Sequence, residues 1–104
     1  MPALFAPVYA ATKAAIHSFT VSLRAELDTT SIQVIEIAPP AVNTDLGGVG
    51  IHTDGVPVDV FVDSVMARVA AGELEVGYGF SETARHASRE QLDNLFAQSA
   101  AAVK

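Results

Sequence analysis

The segment from about Val8 to Leu27 constrains the fold more than any other, because its pattern predicts a helix that is apolar on two sides. One stripe, at helical spacing, contains Ile16, Phe19, Leu23 and Leu27. A second stripe of mostly small residues contains Ala10, Ala14, Val21 and Ala25. Since a helix buries its apolar surface, two such stripes predict a structure that covers this helix on two sides.

A strand is predicted next, over residues 31–38, because this segment is rich in β-branched residues and lies between the turn at 28–30 and Pro39-Pro40. Its mostly continuous apolar character is typical of a parallel strand covered on both faces. Residues 39–57 contain several glycines and no apolar period, which predicts a mobile loop.

The remaining segments alternate between helical and strand patterns. Pro57 and Gly72 delimit a second helix with a strong apolar face, since proline suits a first turn and glycine a C-terminal stop. Residues 73–77 alternate like a short strand, and a last helical region covers 82–102. Within that region, Ser88 and Gln91 form a capping-box pattern, which predicts a restart near Ser88.

This order of elements predicts an α/β fold with about three helices and two short parallel strands. Two strands are too few for a parallel sheet that stands by itself. The length of 104 residues suits a single domain, spanning 1–104. Both the strand over 31–38 and the helix over 8–27 therefore require partners.

Composition narrows the classes of function. The net charge of -6 argues against a protein that binds nucleic acid or an anionic membrane. The absence of cysteine excludes disulfides and thiolate metal sites, and no apolar run has the length of a membrane span. No metal site is expected, since no metal-ligand spacing connects the histidines, His17, His52 and His86. The first residues lack the basic region of a signal peptide, so a cytoplasmic location is expected.

The strongest chemical pattern is Tyr9-Ala-Ala-Thr-Lys13 at the start of the first helix. Its two functional residues lie one helical turn apart and project from the same face. A cation near a phenol favours the phenolate and lowers the pKa of a tyrosine, so this spacing favours a general acid or base.

A glycine pair, Gly77-Tyr78-Gly79, follows a predicted strand and opens a predicted helix, as a dinucleotide-binding turn does. However, the position of the third glycine is occupied by Glu82, whose charge would oppose a pyrophosphate. The glycines at 47, 48 and 50 have the wrong spacing for such a turn. Neither cluster is therefore predicted to be a nucleotide site.

In its context, the Tyr9/Lys13 pattern resembles the C-terminal part of the short-chain dehydrogenase/reductase family. The resemblance continues through the strand over 31–38, the segment Pro39 to Leu46, residues 73–77 and Leu92 to Phe96. It is nearest to bacterial oxidoreductases of the D-alanine transfer gene-cluster type. It implies a partial Rossmann-like fold.

The resemblance also implies roles for individual residues. Tyr9 matches the catalytic acid/base, and Lys13 matches the residue that binds the nicotinamide ribose and lowers the pKa of the tyrosine. The loop after Thr44 matches a substrate lid. The cofactor, by resemblance NADP or NAD, would be bordered by Lys13, Pro39, Pro40, Ala41, Val42 and Thr44.

Two hypotheses follow from what the sequence lacks. The family's Gly-rich cofactor loop is not among these residues, and its catalytic serine would precede Met1. The first hypothesis is a C-terminal fragment of an NAD(P)-dependent oxidoreductase, not binding cofactor and inactive alone, with a possible complementary N-terminal chain. The alternative is a non-catalytic, self-associating α/β module. A homodimer, joined through the edge of strand 31–38, the helix over 8–27 or both, is expected to complete the fold.

Overall fold

The fold is described from a computed structural model that covers residues 3–51 and 53–103. The sequence-based remarks on Met1 and His52 therefore lie outside the described residues. Within those ranges the chain has four helices and four short strands, and the α/β class is confirmed. In chain order the elements are α1 (Pro7–Glu26), β1 (Glu36–Ala38), β2 (Val42–Asn43), β3 (Val56–Pro57), α2 (Val58–Ala70), β4 (Glu75–Gly77), α3 (Phe80–His86) and α4 (Arg89–Val103).

The chain divides into two compact units. The first consists of Met1–Val34 and His86–Lys104, and the second of Ile35–Arg85. The first unit thus contains α1 and α4, and the second contains the four strands with α2 and nearly all of α3. No helix among the described residues is long and apolar enough to cross a lipid bilayer.

Helix α1 confirms the predicted first helix and begins with a proline in its first turn, where the missing N–H costs nothing. None of its side chains is buried. Val8 is 77% exposed and Phe19 is 66% exposed. The described residues therefore do not supply the covering that the two apolar stripes require.

Helix α4 begins at the predicted capping box. The Ser88 hydroxyl accepts the Gln91 N–H at 3.1 Å, and the Gln91 side-chain oxygen accepts the Ser88 N–H at 2.8 Å. This reciprocal pair satisfies two N–H groups that a helix start leaves without helical partners. The predicted restart is confirmed, since α3 ends at His86 and α4 begins at Arg89.

In the second unit, β1 and β4 pair in parallel, with Ile37 opposite Val76. The prediction of a strand over 31–38 is too long, because only Glu36–Ala38 is paired. The observed length follows from its surroundings. The partner strand offers only three residues for pairing, so, within the described ranges, residues 31–35 have no partner in this sheet.

A second parallel pair, β2 with β3, was not predicted, since both strands lie in the segment 39–57 that was assigned to a loop. Val42 lies opposite Val56, and the Val56 N–H donates to the Ala41 carbonyl at 2.9 Å. The two ends of this loop are therefore fixed to each other. Between them, the backbone of Gly47 and Gly50 adopts φ values of 80° and 79°, in the left-handed region that glycine tolerates.

The core of the second unit lies where α2 packs on β4. Val65 of α2 is 2% exposed and Val76 of β4 is fully buried. The rings of Phe61 and Tyr78 meet edge to face, with centroids 6.3 Å apart. Helix α2 lies between the predicted delimiters, but Pro57, which was expected in its first turn, lies in β3 and directly precedes the helix. The glycine at 72, with φ of 94°, follows its last turn as predicted.

Candidate functional site

Tyr9 and Lys13 lie side by side on the first half of α1. The Lys13 ammonium nitrogen is 5.3 Å from the centroid of the Tyr9 ring, within the range of a cation–π contact. Tyr9 is 62% exposed, so its phenol is accessible to a ligand. The helix holds the pair at the spacing expected from the sequence, and the Thr12 hydroxyl donates to the Tyr9 carbonyl at 2.7 Å.

The other predicted site residues lie in the second unit, between β1 and the loop that β2 and β3 close. Pro39 and Ala41 are exposed, whereas Pro40 and Val42 are half-buried. The Thr44 hydroxyl is exposed and accepts the Leu46 N–H at 3.3 Å. These residues form one continuous segment that begins at the carboxyl end of β1, the end where open α/β sheets bind their ligands.

The glycine turn after β4 does not fit a pyrophosphate. The Gly77 N–H, which would face a phosphate, instead donates to the Glu82 carboxylate at 2.9 Å. A cofactor phosphate would therefore meet a carboxylate rather than a free amide. The glycine loop at 47–50 does not provide a phosphate-binding turn either, because its Gly48 N–H donates to the Asp45 carbonyl.

An ion-pair network surrounds that turn and was missed by the sequence analysis. Arg68 of α2 binds Glu73 through two nitrogens, each at 2.8 Å, and binds Glu82 at 2.8 Å. Arg85 also binds Glu82, at 2.8 Å, and lies 3.9 Å from Glu75. The network joins α2, β4 and α3. Glu82 and Arg85 have the i,i+3 spacing of a helical ion pair, but no periodic spacing connects them to Arg68, so only the fold reveals the network as a whole.

The network favours the charged form of each of its members. Hydrogen bonds from Arg68 and then from Arg85 hold the pKa of the Glu82 carboxyl far below its usual range. Hydrogen bonds from Arg68 also lower the pKa of Glu73. Both arginines have raised pKa values, because each donates to these carboxylates. All four groups are charged at neutral pH, which is typical of ion pairs that stabilise a fold rather than of an acid/base site.

Comparison with known proteins identifies the relationship. The family model for short chain dehydrogenase matches residues 1–52. The chain belongs to the short-chain dehydrogenase family. The family expected from the sequence is thus confirmed, and the matched part of this dehydrogenase-family chain contains the Tyr9/Lys13 pair and the segment from Pro39 to Thr44.

One relative of this dehydrogenase-family chain is an uncharacterized oxidoreductase, DltE, of Bacillus subtilis (strain 168). The two are 39% identical over 97 aligned positions, and the match covers 88% of this chain and 38% of DltE. The chain therefore spans well under half the length of that relative. No solved structure matches it.

Proposed function

We propose that these residues are the C-terminal portion of an NAD(P)-dependent short-chain oxidoreductase and that they are inactive alone. The observation that carries this proposal is the Lys13 ammonium above the Tyr9 ring, in the part of the chain that the dehydrogenase model matches. The turn at Gly77 supports the second half of the proposal, because its N–H is already bound by the Glu82 carboxylate and is not available to a cofactor phosphate. A cytoplasmic location is part of the same proposal.

Tyr9 would act on the oxygen of the substrate. In the reducing direction, its phenol gives a proton to a carbonyl oxygen, and in the oxidising direction the phenolate takes that proton from an alcohol. The ammonium of Lys13, which lies 5.3 Å from the centroid of the Tyr9 ring, would stabilise the negative charge that forms as the phenol loses its proton. Bound NAD(P) would supply or accept the hydride at the carbonyl carbon. By family resemblance, the nicotinamide end would be bordered by Pro39, Pro40, Ala41 and Val42, with Thr44 near the phosphates.

Cofactor binding by the isolated chain is the first test. The sequence has no tryptophan, so the fluorescence of NADH or NADPH can be followed without protein overlap. We expect no saturable change up to about 1 mM cofactor, the weak end of the usual affinity range. Tight binding of either cofactor would contradict the claim that this chain is inactive alone.

A chimera tests the catalytic part of the proposal. In it, these residues replace the matching 38% of DltE, so that the relative supplies the rest of the fold. We expect NAD(P)H-dependent reduction of carbonyl compounds that is lost in Tyr9→Phe and strongly reduced in Lys13→Met. Tyr78→Phe, which also removes a phenol oxygen, is the matched control. Equal activity in all variants would exclude Tyr9 as the acid/base.

The alternative function is self-association without catalysis, which the surface of α1 favours. Val8 and Phe19 are large, apolar and mostly exposed on it. Strand β1 has β4 as one neighbour, and the described residues place no strand on its other side. We propose a homodimer joined through α1, through the β1 edge, or through both. The two proposals are compatible, since a dimer can carry the Tyr9/Lys13 pair.

Light scattering at micromolar concentration tests this alternative. We expect the mass of a dimer for the unchanged chain and a shift toward monomer in Phe19→Ser. The control is Val49→Ser, because Val49 is also apolar and is even more exposed but lies in the loop between β2 and β3. A monodisperse monomer for the unchanged chain would rule out the homodimer.

A further inference from the structure

Strand pairing cannot hold the Pro39–Val42 segment at its two prolines. Pro39 and Pro40 have no N–H, so neither can donate to a strand ladder. The proline rings and the restriction on the residue before each proline make the segment locally stiff, but this stiffness does not fix where the segment lies relative to its neighbours. Whatever holds this segment must therefore act at its two ends.

At the first end, the Ser81 hydroxyl of α3 makes the hydrogen bond that a longer pair of parallel strands would make. Beyond Ala38 and Gly77 the strands stop pairing, since the chain turns at Gly79 with a φ of 58°. The Ala38 carbonyl, which a longer β4 would satisfy with an N–H, lies 2.6 Å from the Ser81 hydroxyl. That hydroxyl also accepts the Tyr78 N–H at 3.0 Å.

Ser81 is itself held in place by its neighbour. Glu82 binds the Gly77 N–H at 2.9 Å and Arg68 at 2.8 Å, which fixes the start of α3 against β4. The Ser81 hydroxyl is half-buried at this point. The Ala38 carbonyl is thus bound by a side chain with little freedom to move.

At the second end, the side chain of Asn43 closes the loop. Its Oδ1 accepts the Gly55 N–H at 2.8 Å, beside the hydrogen bond from the Val56 N–H to the Ala41 carbonyl at 2.9 Å. A Cβ on Gly55 would collide with the Ala41 carbonyl, so the approach is as close as the backbone allows.

We propose that Ser81 and Asn43 are positioning residues that fix the Pro39–Val42 backbone from its two ends. The inference rests on the proposed function, in which this backbone borders the nicotinamide. Neither side chain need touch the cofactor, because each acts through the backbone. Fixing that segment before the cofactor arrives removes the ordering cost from the binding step.

Amide hydrogen exchange of the full chain, followed by NMR, tests this proposal. In Asn43→Ala, the Gly55 and Val56 amides should exchange about tenfold faster or more, while amides in the middle of α2 keep their rates. In Ser81→Ala, the Tyr78 amide loses its acceptor and must accelerate in any case. The informative result is acceleration at Val56, on the far side of the two prolines.

Conservative variants and a matched control decide between positioning and general destabilisation. Ser81→Thr and Asn43→Asp keep the hydroxyl and the accepting oxygen and should restore the exchange rates. Thr83→Ala removes a hydroxyl from the same short helix, where it donates only weakly to Gly79 at 3.4 Å, and should change nothing at Val56. Acceleration confined to Tyr78, or equal acceleration throughout α2, would overturn the proposal. This experiment uses no cofactor, so its result does not depend on the proposed function. The chimera tests the proposed function separately.

Discussion

The Glu82 carboxylate accepts the backbone N–H of Gly77 at 2.9 Å, across the turn that joins β4 to α3. Glycine at the strand end and a nearby helix start resemble the arrangement with which α/β proteins bind phosphate. Here the chain fills that position with its own carboxylate, and Arg68 and Arg85 hold the carboxylate from the other side. These contacts therefore fix the start of α3 relative to the end of β4.

Replacing Glu82 by glutamine should destabilise the second unit. The amide keeps an oxygen for the Gly77 N–H but loses the charge that pairs with both arginines. We expect the midpoint of thermal unfolding, followed by circular dichroism at pH 7, to fall by about 5 °C, as expected for a small domain that loses about one net hydrogen bond. The control Asp63→Asn makes the same change on the exposed side of α2. Equal shifts in both variants would show that Glu82 has no special role.

Stability should also depend on pH in the acidic range. Hydrogen bonds from Arg68 lower the pKa of Glu73 and Glu82 from the usual value of 4.5, so the folded state favours their charged forms. This stabilisation is complete above about pH 5 and is lost as the pH falls through 4.5 toward the lower folded-state values. Urea unfolding between pH 3 and 7 should show this fall, and Glu82→Gln should show a shallower one. Parallel curves for the two proteins would contradict the prediction.

The capping box of α4 offers a test in the first unit. Ser88→Ala removes the oxygen that accepts the Gln91 N–H and should cost about 1 kcal/mol of unfolding free energy. Ser88→Asp retains an acceptor and should be close to neutral. Ser99→Ala is the matched control, because Ser99 donates only to the Phe96 carbonyl within the same helix. A loss in Ser99→Ala as large as that in Ser88→Ala would mean that the cap contributes nothing particular.

A side chain at position 77 should not be tolerated. A Cβ on Gly77 would lie 2.8 Å from the Glu82 nitrogen and 2.9 Å from its Cα, and these backbone atoms can move only if α3 moves. Gly77→Ala should therefore cost about 1–3 kcal/mol in urea unfolding. Gly72→Asn should be much milder, since nothing lies near its Cβ position and asparagine tolerates the left-handed backbone there. The reverse order of the two variants would exclude close packing as the cause.

The sequence predicted those elements whose ends carry their own signals. Pro57 and Gly72 bounded α2, and Ser88 with Gln91 located the restart before α4. The β1 strand was predicted too long, because its length depends on how many residues β4 offers for pairing. The β2–β3 pair was missed, since two-residue strands leave no periodic pattern and form only when the loop closes.

In the candidate site, too, some contacts follow from sequence spacing and others are formed only by the fold. The spacing of Tyr9 and Lys13 predicted their contact, because helical geometry alone determines it. Ser81 and Asn43 could not be predicted, since their partners, Ala38 and Gly55, are brought near by the fold and not by spacing. The charge of Glu82 was recognised as unfavourable for a phosphate, but its arginine partner on α2 was not foreseen.

Helix α1 carries the Tyr9/Lys13 pair and buries none of its side chains fully, so packing stabilises this helix only in part. The distance between the Tyr9 ring and the Lys13 ammonium is maintained only while the helix persists. A second protein surface that covers the apolar sides of α1 would stabilise the helix. Association and the geometry of the Tyr9/Lys13 pair are then thermodynamically linked, and each strengthens the other by the same free energy.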